Sequence, residues 1–559
     1  MTTAKQILLR KPSMAGLTAA AGGYMAALTP SLLPHKLMFL LLLTALGTLT
    51  GYAIGTTVAW AAAKMKWRPR SRVVRAIRYV IPALAWLVAL AFTPLAVTWQ
   101  AEQQSALDMP APLPSTVTLI VMTAIIAVLL LFIGRLLRIA TNGIAALIGR
   151  IGPLKRWRAA GVAKGTTRPT LILRAATAVV LIALAALGIR TGLSLLISSY
   201  DSVNADASGQ SPTNLGVNSG SAQSLAPWDT LGREGRFYVS NTMTPAKIQA
   251  ITGTPAKTPV RVYVGMQQGD TPEARTQLAL KEMDRVKAWD RPYLVIYAVT
   301  GTGWVNPDGI NSLEAVTGGD VTTVAVQYSA VPSWIGFVVD QSTTMIQNRD
   351  TVRAIVDAWK AKPADHRPQL VLFGESLGSF GSQAAWDATA TPTIVTDDID
   401  KVIWVGPPAE STLWKEWQAT RSGGPAWQPV IGDGQIAHVY ISPQELTSSP
   451  GRPGHTITFV AHPNDPVVYW SPDLLLNAPD WLTPPLGPGV APEMSWYPII
   501  TFLQVGMDLI SGGEPPEVGH NYAAGIGPAV ALTVNPPGWT ADLTKKLQAA
   551  LPGLMYVTG

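Results

Sequence analysis

Ser376 stands in Gly374-Glu375-Ser376-Leu377-Gly378, at the end of an apolar β-like run (369–373) and ahead of a helix-like stretch (379–388). That setting suits a nucleophile. Small residues at 374 and 378 let a sharp strand-to-helix turn close with the hydroxyl clear of the sheet, and Glu375 completes the turn. The Leu377 N–H is then placed to donate to an oxyanion. A serine hydroxyl needs a base, and the base needs an orienting carboxylate. On a turn of this kind the acid and then the histidine follow the serine in the chain.

Four histidines follow Ser376. His520 sits in the polar Glu517-Val518-Gly519-His520-Asn521-Tyr522 loop, where Gly519 frees the backbone to carry the imidazole over the sheet edge. His462 lies three residues before Asp465 and is expected to shape the acid loop, whereas His438 and His455 fall in or beside predicted strands as structural residues. Asp465 directly follows the run 456–461, at the carboxyl end of a strand where parallel-sheet enzymes build their sites. Asn-Asp-Pro is also ordinary turn chemistry, and Glu410, after the run 402–405, is the alternative acid. A second oxyanion donor is expected from the Thr302 and Gly303 backbone in Thr300-Gly301-Thr302-Gly303-Trp304, which read alone is a glycine turn. No P-loop lysine follows it. Cysteine is absent, which excludes thiolate nucleophiles, disulfides and cysteine-based metal sites. No metal or cofactor is expected.

The elements that must position these residues lie in the second part of the chain. Runs at 260–265, 294–299, 321–328, 369–373, 402–405 and 456–461 alternate with helix-like stretches at 271–289 and 340–360. The pattern is that of a mostly parallel sheet with helices on both faces, an α/β domain over 229–559.

Ahead of it the composition changes. Of 42 Lys and Arg, 21 fall in the first 200 residues with only two acids, Glu102 and Asp108, so the overall charge of +7 divides into +19 and −12. The positive charge lies between apolar runs, as in membrane loops, which argues against a nucleic-acid partner. Five such runs, at 14–33, 37–63, 79–98, 115–134 and 171–198, approach the roughly 20 residues that cross a bilayer. Basic residues flank them in alternation: Lys5, Arg10 and Lys11; then Lys64, Lys66, Arg68, Arg70, Arg72, Arg75 and Arg78; then Arg135, Arg138, Arg150, Lys155, Arg156, Arg158, Lys164 and Arg168. Five spans with this bias give a multi-pass protein of the cytoplasmic (plasma) membrane over 1–198, its N-terminus cytoplasmic and everything after residue 200 outside. The first run also fits a signal peptide; the Pro30–Pro34 region otherwise makes a tight hairpin. Residues 139–151 are expected to form an interfacial helix. The polar stretch 199–228 reads as a flexible tether.

A multispanning N-terminal region, the GESLGSFG segment around Ser376, the HPNDPVV segment around Asp465 and the GHNY segment around His520 together resemble the actinobacterial membrane-bound α/β-hydrolase family, over nearly the whole chain. The resemblance implies an α/β-hydrolase fold over about 230–555, with Ser376 as nucleophile, Asp465 as orienting acid and His520 as base. With no clear strand between Asp465 and His520, the soluble part is also similar to cutinase-type esterases.

The function expected is acyl transfer through an acyl-enzyme, on an ester or lipid substrate, with water as acceptor in an esterase or lipase and a cell-envelope hydroxyl in an acyltransferase. The alternative is a non-catalytic envelope scaffold or lipid-binding protein using the same fold. Of 19 tryptophans, 14 lie beyond residue 200; Trp404, Trp414, Trp417 and Trp427 are expected to line an acyl groove, to meet the membrane surface or to pack in the core.

Overall fold

A computed structural model describes residues 11–65, 72–163, 168–208, 210–212, 216–333, 335–336, 341–511 and 514–551. Lys5, Arg10, Lys66, Arg68, Arg70 and Lys164 of the basic flanks lie outside the described residues.

The N-terminal region is helical: α1 (Met14–Leu28), α2 (Leu37–Lys64), α3 (Arg72–Ala106), α4 (Thr116–Ile148), α5 (Gly152–Ala163) and α6 (Arg168–Ala205). Four of these, α2, α3, α4 and α6, are long and apolar enough to cross a membrane. The expected first span, 14–33, is helical only over the 15 residues of α1, about 22 Å at 1.5 Å per residue. It is thus a short apolar helix beside four of spanning length. It ends because Thr29, Pro30 and Pro34 lead into an extended connection rather than another turn. Small residues join α1 to α2: a Cβ on Gly23 would lie 2.2 Å from the Gly47 carbonyl oxygen, and one on Gly51 2.2 Å from that of Ala19. Such close backbone approach is how helices associate where lipid supplies no hydrophobic drive. Residues 139–148, expected as a separate interfacial helix, continue α4.

The second part is a seven-stranded, all-parallel sheet: β1 (Val260–Val264), β2 (Tyr293–Ala298), β3 (Val321–Val326), β4 (Gln369–Glu375), β5 (Lys401–Val405), β6 (Ala437–Tyr440) and β7 (Thr456–Val460), in the order β1-β3-β2-β4-β5-β7-β6. The strands are almost wholly buried, as expected when helices cover both faces. Leu294, Leu370, Leu372, Val402 and Ile457 point into the core on one face, and Val295, Val371, Phe373, Ile403 and Val460 into the core on the other. Six strands coincide with the runs read from the sequence; β6, four residues at the sheet edge, was not among them. Trp404, Trp414 and Trp417 pack in the first core around Phe459 and are fully or nearly fully buried, so they form packing and not a groove.

The described residues of the expected tether at 199–228 are held to the domain. Residues 199–205 extend α6, and beyond it the polar side chains hydrogen-bond to the sheet edge. Asn218 accepts from the Arg261 N–H and donates to the Val239 carbonyl, while the Ser219 hydroxyl accepts from the Tyr263 N–H. A segment with little apolar surface is ordered because the unpaired edge of β1 supplies backbone partners.

The helical region also rests on the α/β domain. Residues 29–35 of the connection 29–36 are buried, and they meet the helix Ile500–Ser511: Gln504 donates to the Thr29 carbonyl (2.9 Å), the Ser31 hydroxyl donates to Asp508, and His35 Nε2 meets Asp508 Oδ1 at 2.9 Å. Gln103 of α3 donates to the Ser31 carbonyl (2.8 Å). Leu32 is fully buried within the main core of the sheet.

Candidate active site

Ser376 leaves β4 with φ 52° and ψ −121°, a conformation costly to an L-residue. The turn is held by the Ser376 N–H donating to the Val405 carbonyl (2.9 Å) and by the helix Leu377–Gln383, whose Phe380 N–H returns to the Ser376 carbonyl. Both flanking glycines are required. A Cβ on Gly374 would lie 2.8 Å from the Gly378 carbonyl carbon, and one on Gly378 2.1 Å from the Ala298 carbonyl oxygen at the end of β2. Leu377 heads the helix, with an N–H that the helix's own ladder does not use. The strain and both glycines serve one end: a half-buried hydroxyl standing above the carboxyl ends of the central strands.

Asp465 follows β7 and caps the short helix Pro466–Tyr469, with Oδ1 accepting from the Val467 N–H (2.8 Å). Its Oδ2 accepts from His520 Nδ1 at 2.7 Å and from the Tyr522 hydroxyl at 2.6 Å. The carboxylate is completely buried, and burial alone would raise its pKa. The His520 charge and the hydrogen bonds from His520, Tyr522 and Val467 outweigh burial and hold it below the ordinary value. Burial likewise pushes the His520 imidazole down, but Asp465, Glu375 and Glu514 together hold it above the ordinary histidine value. His520 Nε2 is buried and makes no hydrogen bond among the described residues.

The imidazole lies against the backbone of Gly406, immediately after β5. A Cβ there would stand 2.6 Å from His520 Cε1 and 2.7 Å from Tyr522 Cε2, and φ at Gly406 is +53°. The Val405–Gly406 peptide therefore carries the serine turn on its carbonyl and the histidine ring on its glycine. Ser376, Asp465 and His520, far apart in sequence, converge on the ends of β4, β5 and β7.

Other anticipated residues are placed as follows. Glu375, the last residue of β4, is half-buried and accepts from Asn306 Nδ2 (2.9 Å); burial raises its pKa above the usual carboxylate range. Glu410 pairs with Lys415 at 2.6 Å, whereas the carboxylate on His520 Nδ1 is that of Asp465. Of the proposed oxyanion backbone, the Gly303 N–H donates to Thr300 within its own turn (3.0 Å) and Tyr263 donates to the Gly303 carbonyl, which leaves the Thr302 N–H as the candidate donor. His462 joins the acid loop to the histidine loop, with Nδ1 on the Gly519 carbonyl (2.9 Å), Nε2 on Glu517 (3.1 Å) and its ring stacked on Tyr522 at 4.1 Å.

Sequence reasoning missed Tyr522, Gly406, Glu517, Asn464 and Glu514. Glu517 caps the helix Ala523–Val534 by accepting from the Ala524 and Gly525 N–H groups, and Asn464 accepts from the Gly519 N–H (3.2 Å). Tyr522 sits two residues after His520 in the GHNY segment, and that spacing was the one local signal available.

A parallel α/β sheet with a serine on a strained turn after a central strand, and an acid and a histidine following in that order, defines the α/β-hydrolase class. The chain belongs to the Alpha/beta-hydrolase family, which matches residues 260–547, and the Alpha/beta-hydrolase family N-terminus matches residues 28–242. No curated protein and no solved structure matches it.

Proposed function

We propose that the protein is a membrane-anchored serine hydrolase that cleaves, or transfers the acyl group of, an ester or lipid substrate. The observation that carries this reading is the buried Asp465–His520 hydrogen bond, with the imidazole set on Gly406 beside the serine turn and its Nε2 unengaged.

In this mechanism the Ser376 oxygen attacks the ester carbonyl while His520 Nε2 takes the hydroxyl proton. Asp465 keeps the Nδ1–H tautomer and steadies the imidazolium. The Leu377 and Thr302 N–H groups donate to the oxyanion; one such donor typically contributes about 3–4 kcal/mol to the transition state. The carbon–oxygen bond to the leaving alcohol then breaks, and that alcohol takes the proton from His520. Water or an acceptor hydroxyl resolves the acyl-enzyme by the same steps in reverse.

The placement proposed is extracytoplasmic. The connection 29–36, the start of the 107–115 connection and the end of α6 all lie at the α/β domain. Toward the opposite ends of α2 and α4 and in α5 lie Lys64, Arg135, Arg138, Arg150, Lys155 and Arg156, the bias of a cytoplasmic face.

The test is turnover of a short p-nitrophenyl ester series, with fluorophosphonate labelling, by wild type and Ser376→Ala. Labelling and turnover lost in the variant support the acyl-enzyme. A folded wild type that neither labels nor turns over would favour the scaffold reading.

A further inference from the structure

His520 is the most exposed of the three candidate catalytic groups to displacement, because it sits on a loop between two helices and not at a strand end. Asn464, His462, Leu33 and Glu514 surround Gly519 beside it. Its N–H donates to Asn464 and its carbonyl accepts from His462. On its third side are the methyl groups of Leu33: a Cβ on Gly519 would stand 3.2 and 3.4 Å from Leu33 Cδ1 and Cδ2, with Glu514 Cγ of Gly519's own loop at 3.0 Å. The first two partners belong to the acid loop. The third belongs to the connection between α1 and α2.

Leu33 is completely buried in a small cluster with Val518 and with Leu107, which follows α3. The connection that carries it is held from both ends. Ser31 and His35, two residues away on either side, both reach Asp508, and all three side chains are buried. Gln103 and Gln100 of α3 tie the same segment down through the Ser31 carbonyl and the His35 N–H.

We propose that the connection 29–36 is a positioning element of the active site: Ser31 and His35, anchored on Asp508, hold Leu33 as the rest against which Gly519 keeps the His520 imidazole on Asp465. The helical region then completes the site as well as anchoring it. This rests on the hydrolase reading above.

Leu33 is buried and touches no substrate, so its effect appears in turnover and not in substrate binding. In full-length Leu33→Ala, kcat on a short ester falls about tenfold or more with KM nearly unchanged, since small misplacements of a catalytic group are costly. The groups facing His520 are Asp465, Glu375, Glu514 and Tyr522, with Lys36 near Glu514. A slackened Asp465 pairing therefore moves the acidic limb of the kcat profile to lower pH. Leu33→Met, which keeps the bulk, restores both. Asp508→Asn, which weakens the hold on His35 without emptying the core, reproduces the Leu33→Ala behaviour in milder form. Unchanged kcat and an unmoved limb in Leu33→Ala overturn the proposal while wild-type activity keeps the hydrolase reading. A kcat loss that follows the melting temperature with the limb unmoved also overturns it. An inert wild type removes both readings.

Discussion

The Cε1 edge of His520 lies over the α-carbon of Gly406, so close that even a methyl group there would stand 2.6 Å from the ring. The same residue has φ +53°, its N–H donates to the Val460 carbonyl at 2.8 Å, and the carbonyl before it receives the Ser376 N–H. One peptide of β5 thus ties together β7, which leads to Asp465, and β4, which leads to Ser376. Gly406→Ala is expected to push the imidazole off Asp465 and to strain a left-handed backbone, lowering kcat/KM by roughly 100-fold. Ester turnover by full-length protein with an unchanged circular dichroism spectrum checks this; near-normal turnover would mean that the ring has room the geometry does not give it.

Gly406 also marks the limit of what could be read from the sequence. The strained turn at Ser376 was legible because its requirements are local: two glycines, a preceding strand and a following helix within ten residues. Asp465 and His520 could be proposed as its partners through order and loop position. Gly406, in Val405-Gly406-Pro407-Pro408, looks like any strand exit, because what it accommodates arrives from 114 residues further on. Asn218 and Ser219, in the expected tether, escape a local reading for the related reason that their partners are on β1 and not among their neighbours. Likewise the 14–33 run is apolar enough to span, but its last residues serve a tertiary contact, with Leu32 and Leu33 buried in the α/β domain.

The proposed mechanism requires neutral His520, and Asp465 with Glu375 and Glu514 holds its pKa above the ordinary 6.5. The acidic limb of kcat/KM is therefore expected above that value, and Asp465→Asn moves it down while kcat falls by about 10,000-fold. The same shifts affect stability. A raised His520 pKa contributes stability that is fully present below pH 6.5 and is lost as pH rises through the folded value. A lowered Asp465 pKa contributes stability present above 3.8 and lost as pH falls through its folded value. Denaturant titrations of wild type and Asp465→Asn across pH 3–9 measure both.

Tyr522 donates to Asp465 Oδ2 and accepts the His462 N–H at 3.1 Å, in a fully buried position. Tyr522→Phe leaves both partners short of a hydrogen bond where water does not reach, so a loss of about 1–3 kcal/mol is expected. Asp465 also loses one of the donors that lower its pKa. The acid-side loss of stability should begin at higher pH than in wild type, which the same titration detects.

Glu375 touches neither His520 nor Asp465 by hydrogen bond, yet its charge helps hold the imidazole pKa up. Its own pKa is raised by burial, with the Asn306 amide acting the other way. Glu375→Gln keeps the shape and one acceptor for Asn306 while removing the charge. His520 then becomes easier to deprotonate, so the acidic limb of kcat/KM moves to lower pH and the plateau changes by less than about tenfold, the backbone of the serine turn being untouched. A plateau loss comparable to that of Ser376→Ala would assign Glu375 a direct part in the reaction. An unmoved limb would mean that solvent screens the carboxylate from the imidazole.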